Sequence, residues 1–252
     1  MKNNQVDNLQ IRAQKIGLWG VAHSWDTFKN EPWITSLIEH EEVCRRERSL
    51  ERRMKHAKLG KFKPFADFDW NWPKIIDRPL IENLFTLSFL DSAENVVIVG
   101  SGSCGKTMLA KNLAHQAIIE GSSALFISAT QLISDLASQD TPWSLERRLQ
   151  YYAKPTLLII DEIGYVSVSA KYADLLFDLI NKRYENSSTI VTASIPFNAW
   201  AGIFQNASCA SALVDRLIHS CVIINIVADS YRLRESAARQ KQLLPNLVDK
   251  AS

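Results

Sequence analysis

The stretch Gly100-Ser101-Gly102-Ser103-Cys104-Gly105-Lys106-Thr107 decides how this chain folds. It fits G-x-x-x-x-G-K-[ST], and it stands between an apolar run at 96–99 and a helical pattern from Gly105 to about Glu120. Strand, loop and helix in that order are what the motif's chemistry requires. Glycines let the backbone curl until its N–H groups converge on phosphates, and the helix N-terminus adds positive potential. Lys106 is placed to reach the β- and γ-phosphates, and the Thr107 hydroxyl to ligate Mg2+. Gly100, Ser101, Gly102, Ser103, Cys104, Gly105, Lys106 and Thr107 are therefore expected to hold the phosphate chain of a nucleotide.

Downstream comes Leu157-Leu158-Ile159-Ile160-Asp161-Glu162, four apolar residues followed by two carboxylates. This is the Walker B pattern. A buried strand would deliver Asp161 beside the phosphate loop, where ligands gather in open α/β sheets. Asp161 is expected to hold Mg2+ with Thr107, and Glu162 to orient and activate the attacking water. Together the two motifs imply ATP and Mg2+. Around them, short apolar runs (96–99, 124–128, 157–160, 189–193, 222–227) alternate with amphipathic stretches (105–120, 131–137, 144–152, 172–184). Such alternation predicts an α/β fold, a parallel sheet with helices on both faces.

The 252 residues are 46% hydrophobic and 22% charged, which excludes a disordered or fibrous chain. The net charge of +2 conceals an asymmetry. Residues 1–63 carry 13 basic and 8 acidic residues, whereas 64–252 carry 16 and 19. Cys44, Cys104, Cys209 and Cys221 are scattered without a C-x-x-C pair, so neither a disulfide framework nor a zinc site is supported. They read as small, mostly buried thiols. No apolar segment follows the polar start MKNNQVDNLQ, and no apolar run approaches the roughly 20 residues of a membrane span. The expected location is the cytoplasm, away from any membrane.

Ahead of the phosphate loop, residues 10–28 read as helical, with Gly17 and Gly20 marking a possible break, and Pro32 opens a long helix to about Lys58. Nine basic residues fall between Arg45 and Lys63, against Glu47 and Glu51. This run fits a surface that tracks a DNA backbone, and equally a solvated helix face with internal Glu–Arg pairs. Residues 64–73 are aromatic and bounded by prolines, a linker packed on a body, and 75–90 look helical again. Trp70 and Trp72 are expected to pack rather than to stack on bases. The chain thus divides into a basic helical domain (1–63), a linker and packing helix (64–90) and an ATPase domain (91–252).

These motifs do not stand alone. With them come Glu94-Asn95-Val96, Ile163-Gly164-Tyr165, Arg183-Tyr184-Glu185, Pro196-Phe197-Asn198-Ala199-Trp200, Asp215-Arg216-Leu217 and Asp229-Ser230-Tyr231-Arg232-Leu233-Arg234-Glu235. In this, over nearly its whole length, the chain resembles the IstB-like transposition helper ATPases, relatives of the DnaC-type helicase loaders in the AAA+ class. The resemblance implies a P-loop AAA+ core preceded by a small helical domain. It implies an ATPase that oligomerises on duplex DNA, remodels it and presents it to a transposase. Arg216 matches the arginine that acts across a subunit interface on a neighbour's ATP. For the basic run, the resemblance adds contact with the transposase or an adjoining subunit. Arg232 and Arg234 remain open between phosphate sensors and ordinary helix charges.

Two departures from the family pattern bear on turnover. Ser103 replaces a glycine of the usual loop, where a conformation disfavoured for other residues is common, and the adjacent Gly102 is the residue available to shift the turn. Ser194 stands where the family's polar sensor is normally asparagine, and a shorter serine reaches the γ-phosphate through water. ATP binding is expected to survive both, and hydrolysis to be slow. Residues 228–252 are too few for a helical lid, so a lidless core completed by neighbouring subunits is expected. The rival readings are a DnaC-like helicase loader and an ATP-binding DNA scaffold with little hydrolysis.

Overall fold

The computed structural model describes residues 2–163, 170–195, 200 and 207–243. The chain forms two compact units, residues 1–55 and 56–252. In the first, α1 (Lys2–Lys15) is followed by two short helices, α2 (Trp19–His23) and α3 (Trp25–Phe28), and then by the long α4 (Ile34–Ala57). The break expected near Gly17 lies at the end of α1, where Gly17 N–H donates to Gln14 O and Leu18 N–H to Ala13 O. That paired pattern closes a helix whose next residue turns left-handed, and Gly17 has φ 77°. Ala13, Ile16, Trp25, Ile34 and Ile38 bury a small core, and Arg12 clasps Glu42 with two bonds of 2.9 and 2.8 Å.

The second unit opens with the aromatic linker, whose Phe65–Asp67 segment is a single 3-10 turn. Phe65 stacks on Phe68 and meets Trp70 and Phe85 edge-on or tilted, with ring centroids 4.8–5.3 Å apart. The linker is therefore packed, as its composition suggested. Residues 75–90, expected as one helix, are two: α5 (Arg78–Leu84) and α6 (Ser88–Asp91). Asp77 caps α5 by accepting from Leu80 N–H, and Leu87, left-handed at φ 64°, separates the pair.

Among the described residues, five strands and six α-helices complete the unit. In chain order they are β1 (Asn95–Gly100), α7 (Lys106–Ile119), β2 (Ala124–Ser128), α8 (Ala129–Ala137), α9 (Pro142–Ala153), β3 (Leu157–Ile163), α10 (Ala170–Arg183), β4 (Ser188–Ala193), α11 (Ala207–His219), β5 (Cys221–Ile226) and α12 (Tyr231–Leu243). All strand pairs are parallel, in the order β2-β3-β4-β1-β5. The apolar runs are continuous rather than alternating because the central strands are covered on both faces. Val97, Leu158, Ile160 and Val191 form one core with Leu132, Leu149, Leu176, Leu213 and Trp200 from the helical layer. Val96, Ile98, Ile159 and Ile190 alternate with them and are equally buried, while α7 packs along β1, β2, β3 and β4. Each such aliphatic side chain contributes about 1.5–3 kcal/mol on burial.

Polar anchors tie the N-terminal ends of the strands. Arg183, 1% exposed, donates to the carbonyls of Tyr152, Ala153, Pro155 and Ser188 and to Thr189 Oγ1, over 2.5–3.1 Å. Burial pulls its pKa down from the ordinary arginine range to about 9, so it stays charged at neutral pH. Asn95 accepts from Thr189 N–H at 2.9 Å and donates to Leu217 O at 3.3 Å. Among the described residues, no helix is long and apolar enough to cross a membrane.

Candidate nucleotide site

At the opposite end of the sheet, strand order does what strand sequence alone does not reveal. β4 lies between β1, which runs into the phosphate loop, and β3, which carries Asp161. The C-terminal end of β4 is therefore wedged between the two motifs. Its Thr192 is fully buried, donates to Asp161 Oδ1 at 2.6 Å, and accepts from Glu162 N–H at 2.8 Å. Thr107 Oγ1, in the first turn of α7, donates to Asp161 from the other side, 3.0 and 3.1 Å from its two oxygens. Two hydroxyls thus fix a carboxylate that is only 6% exposed.

Glu162 is aimed differently. The β3–β4 register pairs Ile160 with Val191 but Ile163 with Ala193, so β3 carries one extra residue there. Glu162 absorbs this bulge in the left-handed region, φ 64°. Such bulges re-aim side chains, and here the result is an exposed Glu162 lining the cleft beside a buried Asp161. A left-handed non-glycine residue costs about 1–2 kcal/mol.

The loop carries a second such residue. Ser103 has φ 62°, and Gly102 is not among the positive-φ glycines. The turn has therefore not shifted onto Gly102. Ser103 itself takes the conformation that a glycine would adopt freely. Its carbonyl accepts from Tyr231 N–H at 3.2 Å, and Ser101 Oγ donates to Ala228 O at 2.6 Å, so the segment entering α12 straps the loop. Gly105 has φ 105°, and a Cβ there would lie 2.8 Å from the Phe68 ring. Gly100, the last residue of β1, is similarly closed in, with Ile226 O 2.4 Å from where a Cβ would stand. Lys106 is buried and donates to the carbonyls of Gly100 and Ser101 at 2.8 and 2.7 Å. Burial pushes the thiol of Cys104 up, against the pull of the Lys106 charge.

These groups open onto a cleft of about 440 Å3. Residues 102–107 of the phosphate loop, Glu162 and Ser194 line it, Gly100 and Ser101 do not, and the serine expected as sensor lies in the same cleft as the expected base. Its walls were not foreseen from the sequence. Lys63 and the linker residues Phe68, Asp69 and Trp72 form one side, and α12 supplies Tyr231 and Arg232. The structure also separates two arginines that the sequence left open. Arg232 lines the cleft, whereas Arg234 pairs with Asp69 at 2.9 Å and lies over the Trp72 ring.

Arg216 is not among the cleft-lining residues. Its guanidinium lies over the Phe177 ring, 4.4 Å from the centroid, and its Nη1 is buried without a hydrogen-bond partner. On α4, Arg45 and Arg48 both pair with Glu41, while Arg46, Arg52 and Lys55 are exposed. Cys104 is buried, but Cys44 and Cys221 are only partly so. Gly164-Tyr165, Pro196-Phe197-Asn198-Ala199 and the side chain of Cys209 lie outside the described residues.

Comparison with known proteins bears on family and fold. A family model described as IstB-like ATP binding protein matches residues 21–239. The chain is 34% identical over 235 residues to the insertion sequence IS5376 ATP-binding protein of Geobacillus stearothermophilus, covering 93% of this chain and 94% of the relative. It is 38% identical over 203 residues to the insertion sequence IS21 ATP-binding protein of Pseudomonas aeruginosa, covering 81% and 77%. A crystal structure of DnaI superposes with a TM-score of 0.56 at 20% identity, over 67% of this chain and 92% of that one. At that identity the likeness is one of fold, a parallel five-stranded P-loop core of the AAA+ type flanked by helices.

Proposed function

The chain belongs to the IstB-like ATP-binding protein family, and from that premise we propose that it hydrolyses ATP to drive a step of transposition. In this reading it oligomerises on duplex DNA with ATP bound, remodels the DNA and presents it to a transposase. The observation that carries it is the linkage Thr107–Asp161–Thr192–Glu162, which joins the phosphate-loop helix to the backbone of the exposed Glu162 through buried and partly buried hydrogen bonds. Relatives named as ATP-binding proteins of insertion sequences support the transposition context.

The residues divide the chemistry between them. Lys106 exchanges the loop carbonyls it now holds for phosphate oxygens. Thr107 and Asp161 offer the hard oxygen donors that suit Mg2+, which when bound neutralises phosphate charge. Glu162 orients the attacking water and takes its proton. Ser194 reaches the γ-phosphate through a water, and Arg216, outside its own cleft, stabilises charge on the ATP of a neighbouring subunit. Hydrolysis then depends on assembly. The exposed basic residues of α4 contribute a DNA affinity that falls steeply with salt.

The test is purified full-length protein with ATP, Mg2+ and duplex DNA. Glu162→Gln is expected to lower phosphate release by about 10²–10⁴-fold, the usual share of a general base, while ATP-dependent DNA binding persists. Unchanged turnover removes Glu162 from the mechanism. Ser194 in the place of an asparagine favours one second reading, an ATP-dependent DNA scaffold. Wild-type protein that binds DNA with ATP but releases no phosphate would select it.

A further inference from the structure

The cleft is half phosphate site and half something else. The loop backbone, Lys106 and Thr107 account for phosphates, but the walls come from the linker and from α12, which no phosphate chemistry requires. The walls hold one another in part, through Lys63 to Glu235 at 2.6 Å and Trp72 Nε1 to Asp229 O at 3.0 Å. Two further side chains that do not line the cleft anchor them from behind. Asn112 sits on α7 among Leu109, Ala110, Leu113 and Ala114, all buried. A polar residue at helical spacing on an apolar face needs partners, and Asn112 has three. Its Oδ1 accepts from Phe65 N–H at 2.9 Å, and its Nδ2 donates to Lys63 O at 3.0 Å and to Met108 O at 2.8 Å. The amide thereby nails residues 63–65 to the phosphate-loop helix. Arg234 does the same from α12, pairing with Asp69 at 2.9 Å and stacking 4.6 Å from the Trp72 centroid.

We propose that Asn112 and Arg234 are positioning residues that set the linker wall for the nucleoside half of ATP. This rests on the nucleotide reading of the cleft and assigns its selectivity. Neither residue touches the ligand. Asn112 anchors the backbone at Lys63 and Phe65, Arg234 anchors Asp69 and Trp72, and Phe68 between them is seated on Gly105, against which no Cβ would fit. Phe65, Phe68, Trp70 and Phe85 pack on one another without using either anchor's side chain, so loss of an anchor is expected to loosen the wall.

The experiment measures displacement of a fluorescent ATP analogue from the full chain by ATP and, separately, by inorganic tripolyphosphate. Asn112→Leu and Arg234→Ala are each expected to weaken ATP by about tenfold, equivalent to about 1.4 kcal/mol, and tripolyphosphate by less than about twofold. Asp69→Arg alone should reproduce the loss, and Asp69→Arg with Arg234→Asp should recover most of it. If Asn112→Leu does not fold, Arg234→Ala decides the matter, since that side chain is half exposed. Equal weakening of both ligands, or of neither, overturns the proposal while leaving the nucleotide site intact. Wild-type protein that binds no ATP analogue overturns the nucleotide reading, and this inference with it.

Discussion

The two ends of one sheet bury polar groups in opposite ways. At the N-terminal ends of the strands, Arg183 spends its guanidinium on five carbonyls and a hydroxyl, and Asn95 bonds through both its oxygen and its nitrogen. At the C-terminal ends, Lys106 rests on two loop carbonyls and Asp161 on two hydroxyls. The first set is saturated from within the fold. The second keeps groups that a ligand can take over. Left-handed backbone does not separate the two, since Ser103 and Glu162 at one end are matched by Ala93 and Glu185 at the other. Burial of a charge is therefore no guide to its role; what distinguishes the ends is whether its partners can be replaced.

The contrast is broken most sharply at Arg183. Arg183→Met removes the donor from several buried acceptors at once, with an expected loss of about 3–5 kcal/mol. Arg183→Lys should recover only part, because an ammonium has three donors and no planar fork. Urea denaturation of the three proteins reads this directly. A loss below about 1 kcal/mol for Arg183→Met would mean that water satisfies these carbonyls and that the end is not sealed.

Thr192 lies at the functional end but behaves like a member of the other set, since its hydroxyl is consumed internally. Thr192→Val keeps the shape and removes the donor to Asp161 and the acceptor for Glu162 N–H. Steady-state phosphate release should fall by about 10–100-fold, the usual effect of losing a group that orients ligands. ATP affinity, read by displacement of a fluorescent analogue, should change by less than about threefold. Comparable losses in affinity and turnover would make Thr192 a structural anchor like Arg183.

How far the sequence revealed these ends follows from the same distinction. The phosphate loop and the Asp161-Glu162 pair were legible because their chemistry forces contiguous residues into a fixed spacing. The strands were legible as continuous β-branched runs. Thr192 was not, because threonine in a strand is ordinary, and its place between two motifs depends on β4 lying between β1 and β3. Asn112 left a trace, one polar residue on an apolar helical face, without disclosing its partner 47 positions away. The linker's packing was expected from its aromatics, but its role as a cleft wall was not. Its partners, Asp229 and, on α12, Arg234, lie 157 and 165 residues downstream, and only folding joins them.

The smallest expected effect probes the strain itself. Ser103 contributes its carbonyl to Tyr231 N–H and stands at φ 62°. Ser103→Gly keeps the carbonyl and relieves the left-handed conformation, worth about 1–2 kcal/mol. Glycine also gains freedom in the unfolded chain, which takes back about 0.5–1 kcal/mol. A net gain of about 0.5–1 kcal/mol remains, which for a domain of this size is a rise of about 1–4 °C in Tm. Thermal denaturation without nucleotide measures it. If Tm rises and turnover rises with it, serine at this position is a brake on a loop built to work with glycine. If Tm is unchanged or falls, the strap from Tyr231 holds the turn so firmly that the left-handed residue is not under strain. Strain beside the cleft would then be confined to Glu162, where the bulge delivers the carboxylate to it.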